Sequence, residues 1–332
     1  MTDEKRLLLS WPQPETGYEL DEVSVQGGSL QKLPFGQGAE QIALSPQGDK
    51  LAFVVHPFNH IGIWRKDLLN PKTAAVNLVP STQRQDDAQY SPDMKHIAFT
   101  STRDGREEIW MSDADGTNLS KLSNIHSSDA GWPRWSPDSQ KIAFSSHSSG
   151  HWELYVVDIV ERLPRKLVCD LKAMLVASWS HDGKWIYFQG ETDERVYRCP
   201  AIGGQAVALS KASGLNPWES YDGKTLYFVD RLNTSSLRMV PLQTRGPESV
   251  VQGMPSVLDA GSWSVAAQGI YFVPTGVPKS VRFFDFASRQ VRPVFDLTNF
   301  VSDLAVSEDG RWLTYTQLDE DNADIMLVEN FR

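Results

Sequence analysis

The 332-residue chain holds only two cysteines, Cys169 and Cys199. Two cannot build a disulfide scaffold, and a chain of this size does not depend on one. A pair of buried thiols is the expectation, with a single bridge as the alternative. No run of about 18 apolar residues occurs, so no membrane-spanning helix is encoded. The start, Met1-Thr2-Asp3-Glu4-Lys5-Arg6, has no apolar signal core, and Leu7 to Leu9 is too short to supply one. The expected location is cytoplasmic as written, or periplasmic if the chain is a piece of a membrane-anchored regulator. Positive charge is scarce as well, with a formal net charge of -10. The longest basic cluster, Arg162, Arg165 and Lys166, is broken by Leu163 and Pro164. Such a surface repels a phosphate backbone, so no nucleic-acid partner is expected.

Catalytic signatures are missing too. There is no Gly-x-Ser-x-Gly elbow, no His-Glu-x-x-His and no Cys-x-x-Cys. Gly36-Gln37-Gly38 lacks the third glycine of a dinucleotide loop. Gly223-Lys224-Thr225 imitates the end of a phosphate loop, but it lies in a hairpin turn and the earlier glycine is absent. The expectation is therefore a protein that is not an enzyme and carries no cofactor. Helical periodicity is missing throughout. With 40% hydrophobic and 22% charged residues, a substantial core is nevertheless encoded.

What is present is a repeat. A cassette reading apolar-Ser-Pro-Asp-Gly-x-x-Ile-Ala-Phe recurs at Ser45, Ser91, Ser136, Ser180, Ser220, Ser264 and Ser307. The intervals are 46, 45, 44, 40, 44 and 43 residues. Six residues after each serine stands Leu51, Ile97, Ile142, Ile186, Leu226, Ile270 or Leu313. Eight after it stands Phe53, Phe99, Phe144, Phe188, Phe228, Phe272 or Tyr315. Proline presets φ, aspartate bonds its own backbone and glycine accepts positive φ, so the polar part is a hairpin turn. Apolar residues two apart form one buried face of the strand that follows. A third strand recurs at pairs such as Ile63-Trp64, Ile109-Trp110 and Ile325-Met326, and a polar turn leads to a fourth. Four short strands in some 40–45 residues make one propeller blade.

The fold expected is an all-β propeller of seven four-stranded blades, with eight (one incomplete) or six as alternatives. Residues 36–332 would form the repeats. Residues 1–35 would be a partial blade, whose hairpin around Gly27-Gly28 closes the ring against the third strand of the last blade. The fifth cassette, Trp218-Glu219-Ser220-Tyr221-Asp222-Gly223, is expected to carry a bulge.

The cassettes resemble the TolB-type family of Pro-Asp β-propeller repeats over residues 20–332. Trp135-Ser136-Pro137-Asp138 and Trp179-Ser180-His181-Asp182-Gly183 are the most typical stretches. The Asp324–Arg332 tail and Gly269-Ile270-Tyr271-Phe272 are similar to the propeller half of bacterial winged-helix transcriptional regulators. That resemblance implies a WD40-like binding scaffold, in such a regulator the sensor portion.

Counting back from the cassette serines finds carboxylates on the loops that enter the inner strands: Glu40, Asp86, Asp87, Asp259 and Asp303, with Asp129 slightly further back. These are expected to ring one channel mouth. The same face carries His126 and the spaced pairs His56/His60 and His147/His151, weak candidates for a metal. Trp132, Trp152 and Trp218 break the repeating tryptophan pattern and are candidate contact aromatics. The function expected is binding of a protein, a peptide or a small cationic ligand at this acidic face. A propeller enzyme of lyase, lactonase or glycosidase type, using channel-mouth carboxylates, is the first alternative. A structural assembly module is the second.

Overall fold

The structure, a computed structural model, describes residues 6–331 except 14–16, 37, 56–60, 82, 126–128, 148–149, 172–173, 191, 231–234, 245, 277–278 and 319–323. Among the described residues there is no helix, and every named element is a strand. The chain divides into two compact units, residues 1–60 with 319–332 and residues 61–318. The expected division at residues 35 and 36 is not where the units part.

The larger unit holds six four-stranded antiparallel sheets, numbered here as blades 1 to 6. The inner strands of blades 2 to 5 are Gln85–Tyr90, Ala130–Trp135, Met174–Trp179 and Leu215–Glu219. That of blade 6 is Trp263–Ala266. Blade 1 takes its inner strands, Phe300–Val306 and Trp312–Leu318, from the end of the unit. Its outer strands, Ile61–Asp67 and Val76–Asn77, come from the beginning. Each inner strand packs beside the next, and Phe300–Val306 touches Gln85–Tyr90, so the ring closes at six. The expected seven blades are thus corrected to six, one of the alternatives the repeat allows.

The first cassette accounts for the difference. Its strands Ala39–Leu44 and Lys50–Val55 lie in the smaller unit, in a three-stranded sheet with Asp324–Glu329. Third strands have changed partners relative to the expectation. Ile63 and Trp64 pair with Thr316 and Tyr315 of the last cassette, while Ile325 and Met326 pair with Val54 and Phe53 of the first. All third strands carry the same apolar pattern, so local sequence does not specify which hairpin each joins. Building one blade from both ends of the larger unit leaves the ring without a seam between separate blades. Arg6–Gln13, Gly17–Ser24 and Gln31–Lys32 form a sheet of their own, so the hairpin at Gly27-Gly28 pairs with no strand of a blade.

In the larger unit, the apolar residues after each cassette serine fill the interfaces between blades. Ile142 and Phe144 of blade 3 pack with Ile109, Met111 and Leu122 of blade 2. Ala143, between them in sequence, faces Ile186 and Phe188 of blade 4. Six such clusters occur, one at each interface. Fully burying each of these Ile or Phe side chains contributes about 1.5–3 kcal/mol. The serine has its own task. Ser136 Oγ donates to Asp138 Oδ1 at 2.6 Å and accepts from the Lys141 amide at 2.9 Å. The same pair of bonds recurs at Ser91, Ser180, Ser220 and Ser307. In the fifth cassette the turn is therefore regular, and the expected bulge at Glu219 is not there. Glu219 simply occupies the place that Trp135 and Trp179 hold in other blades.

Candidate functional site

Every blade but the sixth has a register shift in its inner strand, and it falls before the cassette serine. It lies between Asp86 and Gln89, Gly131 and Arg134, Leu175 and Ser178, Leu215 and Trp218, and Ser302 and Ala305. Four residues before the serine, the backbone turns left-handed at Asp87, Trp132, Asn216 and Asp303, with φ of 56°, 55°, 49° and 63°. Asp and Asn tolerate this conformation because their short polar side chains bond locally. Such a bulge re-aims the side chain it carries. Asp87 and Asp303 hold equivalent bulge positions in neighbouring blades, where each carboxyl feels the other. Gly261 makes room for this, since a Cβ there would stand 2.6 Å from both Asp303 Oδ1 and Ser302 Oγ.

The acids are not an open ring. Asp86 and Asp87 are buried. Asp86 Oδ2 is 2.6 Å from Arg84 Nη2, and Arg84 also reaches Glu107 at 3.4 Å. Asp87 Oδ2 accepts from the Trp132 amide at 3.2 Å and from Thr100 Oγ1 at 3.3 Å. Asp303 Oδ2 accepts from Thr316 Oγ1 at 3.1 Å. Burial pushes the Asp86 carboxyl up to about 7, against the opposing pull of Arg84 and with a further push from Asp303. Burial, then the neighbouring Asp303 and Asp86 charges, hold Asp87 well above the ordinary carboxylate range. Burial raises Asp303 too, with Asp259 adding to it and Thr316 opposing.

Arg134 faces this pair. Its Nη2 donates to Asn216 Oδ1 of blade 5 at 3.3 Å, and its guanidinium lies 5.1 Å from the Trp218 ring centre. Arg134 is thus shared between Asp87 and Asp303 on one side and a cavity on the other. That cavity, about 270 Å3, lies at the end of the channel bounded by the Ser-Pro-Asp turns. All six inner strands contribute to its wall, among them Gln89, Arg134, Ser178, Trp218, Val265 and Ala305. Trp179 and Tyr221 add aromatic surface, and Glu219 and Glu308 stand in the wall. Neither Asp87 nor Asp303 lines it.

The remaining expected residues scatter. Asp259 lies beside the pair, accepting from the Gly261 amide at 2.9 Å. Asp129 is half-buried in the loop before blade 3, and its charge raises Glu107 after burial has done so. Glu40 belongs to the smaller unit, on Ala39–Leu44. His56, His60 and His126 lie outside the described residues. His151 is exposed, whereas His147, Trp152 and Trp132 pack together, with ring centres 5.3 Å apart in each contact. Among the described residues no three His, Cys, Asp or Glu side chains group to hold a metal ion. Trp218 is at the turn end of the channel, not with Trp132 and Trp152. Cys169 and Cys199 are joined in a disulfide, so the alternative of a single bridge replaces two free thiols.

Counting back four or five residues from the serines finds the acids. Counting back two finds Gln89, Arg134, Ser178, Trp218 and Ala305, the cavity residues that a search for carboxylates passed over.

Residues 121–281, from the last strand of blade 2 to the third strand of blade 6, match the family described as the TolB beta propeller domain, PD40. No curated protein matches the chain. Among solved structures, TolB from Acinetobacter baumannii is 15% identical, covers 96% of this chain and 80% of its own, and has a TM-score of 0.55. A Mycobacterium tuberculosis puromycin-hydrolyzing peptidase is 16% identical with a TM-score of 0.54, covering 89% of this chain, which spans 52% of the peptidase. An oligogalacturonate lyase in complex with manganese is 12% identical with a TM-score of 0.51, covering 93% of this chain and 78% of its own. At these identities the likeness is one of fold.

Proposed function

We propose that this TolB-type propeller is a binding module without catalytic chemistry of its own, and that its ligand enters the channel at the turn end. The arrangement of polar groups carries the reading. The carboxylates are engaged with one another, with hydroxyls and with Arg84, and they sit behind Arg134. The open space is the aromatic-walled cavity on the other side of that arginine, and all six inner strands shape it. A concave, mostly preformed site with a few convergent polar groups is what a small ligand or a chain segment needs. The fold does not choose between binding and catalysis, since its neighbours include TolB and two enzymes. The disulfide suits an oxidising compartment, which favours the periplasmic alternative for location. The similarity of the tail to winged-helix regulators suits such a module as the sensing part of a larger protein.

The enzyme reading has one observation in its favour, the buried Asp87–Asp303 pair with raised carboxyls, a feature shared with catalytic dyads. Three variants separate the readings. Small acids, amines, amides and short peptides would be screened by thermal shift on the intact chain. Ala305→Leu narrows the cavity and is expected to abolish any hit, while Asp259→Asn leaves it. A hit that survives Ala305→Leu and disappears in Asp87→Asn would move the site to the carboxylate pair and sink the proposal.

A further inference from the structure

The cavity of the proposed binding site holds a pattern of unused hydrogen-bonding groups, and they share a sign. The carboxylate and amide acceptors in its wall each have a protein donor. Glu219 accepts from the Tyr187 hydroxyl and from the His181 amide at 3.3 Å. Glu308 accepts from the Tyr221 hydroxyl. Gln89 Oε1 accepts from the Trp135 amide at 2.9 Å. Two indoles are also satisfied, Trp135 Nε1 by Gln89 O at 3.0 Å and Trp179 Nε1 by Arg134 O at 3.1 Å. Three buried polar atoms are left without a protein partner: Arg134 Nε, Trp218 Nε1 and Ser178 Oγ. Two are obligate donors and the third can donate. Ser178 itself is only 2% exposed. An unpaired buried donor costs about 1–3 kcal/mol, so three on residues that line one cavity favour an acceptor there.

We propose that the cavity binds a carboxylate, held by the Arg134 guanidinium, the Trp218 indole and the Ser178 hydroxyl. This rests on the cavity being the ligand site. Charge agrees with it. Asp87 and Asp303 oppose Arg134 from behind, but burial and repulsion from neighbouring carboxylates raise both carboxyls, so they balance the guanidinium incompletely. A ligand carboxylate completes that balance, with a charge-assisted bond stronger than a neutral one. Trp179, Tyr221 and Trp135 give the rest of the ligand an apolar wall. About 270 Å3 is near the lower end of small-molecule sites, room for a small apolar acid or for the last residue of a chain. The sign is opposite to the cationic ligand that the acidic loops suggest in sequence.

Calorimetry on the whole chain tests this with benzoate, benzamide, benzylamine, N-acetylphenylalanine and its amide. Benzoate and N-acetylphenylalanine are expected to bind, each at least about tenfold more tightly than its amide. Trp218→Phe removes one donor and keeps the ring, and is expected to weaken benzoate about fivefold. Ser178→Ala is expected to do the same. Arg134→Gln is expected to erase the preference for acid over amide, and the two milder variants carry the test if it does not fold. Tighter binding of N-acetylphenylalanine than of benzoate assigns the site to a chain terminus, and the reverse assigns it to a free acid. If benzamide or benzylamine binds as well as benzoate and Ala305→Leu blocks it, the cavity is the site but the carboxylate is wrong. No binding by any probe also overturns the carboxylate. Benzoate binding untouched by Ala305→Leu and Trp218→Phe alike overturns both the carboxylate and the cavity.

Discussion

Replacing Asp87 with asparagine should invert its effect on stability between acid and neutral pH. Asp87 sits in a left-handed bulge, buried, with Asp303 and Asp86 beside it. In the unfolded chain each aspartate titrates near about 3.9. In the folded chain Asp86, Asp87 and Asp303 all titrate higher. The folded state therefore binds more protons between those values. The stability these groups contribute is fully present below the unfolded value and is lost as pH rises through the folded ones. Each retained proton tilts stability by about 1.4 kcal/mol per pH unit. For Asp86, raised to about 7 and 4% exposed, this is at most about 4 kcal/mol between pH 4 and 7. Asn at position 87 keeps an acceptor for Thr100 and the Trp132 amide, and its own amide can donate to Asp303. It removes one titrating group and the repulsion that group exerts. Urea unfolding of both proteins at pH 4.5 and pH 8 measures the outcome. The variant should lose about 1 kcal/mol at the lower pH, where the carboxyl pair is intact, and gain about 1–2 kcal/mol at the higher. The turn aspartates Asp138, Asp182 and Asp222 do not interfere. Bonds from Ser136, Ser180 and Ser220 lower them, so the stability they give is lost only as pH falls through values below the window. Parallel profiles for the two proteins would show that the three acids are solvated and ionised, and would refute the buried carboxylate pair beside Arg134.

Ser136→Ala removes a donor to Asp138 and an acceptor for the Lys141 amide, and should cost about 1–2 kcal/mol in chemical denaturation. The same change at exposed Ser288 should cost less, although it also bonds a turn aspartate. Cys169→Ser opens a bridge spanning 30 residues and should cost about 3–4 kcal/mol, read as a lower denaturant midpoint, with wild type matching it under reductant. Leu313→Ala, in the blade built from both ends, should cost about 2–5 kcal/mol, because Leu313 is fully buried against Phe300 and Leu304. Deleting residues 1–35 should leave the unfolding of the six-bladed unit unchanged, followed by tryptophan fluorescence. A lowered midpoint would restore the idea that this segment helps to close the ring.

The blades were legible because each rests on local chemistry. Ser136-Pro137-Asp138 makes the same turn wherever it occurs, and Ile142 and Phe144 alternate with Ala143 to serve two interfaces. Three matters were not legible. The third strands at Ile63 and Ile325 are alike in pattern, so only closure of the ring decides which hairpin each completes. Glu219 departs from the aromatic consensus, yet a lone departure does not say whether the backbone or only the side chain has changed. The carboxylates at Asp87 and Asp303 read as a solvated rim, because an acid before a strand is usually exposed. It is the bulge in each inner strand, and a neighbour blade far away in sequence, that buries them.

The amino-acid sequence by itself determined the repeating unit, its turns, its strand alternation and the absence of helical periodicity, since all of these depend on residues within a few positions of one another. The tertiary structure alone decided the number of blades, the bond between Cys169 and Cys199, and the side of the channel that stays open. Those depend on which distant strands meet. Arg134, Ser178 and Trp218 follow one another at steps of 44 and 40 residues, and only the closed ring brings these residues and their unpaired donors around one cavity.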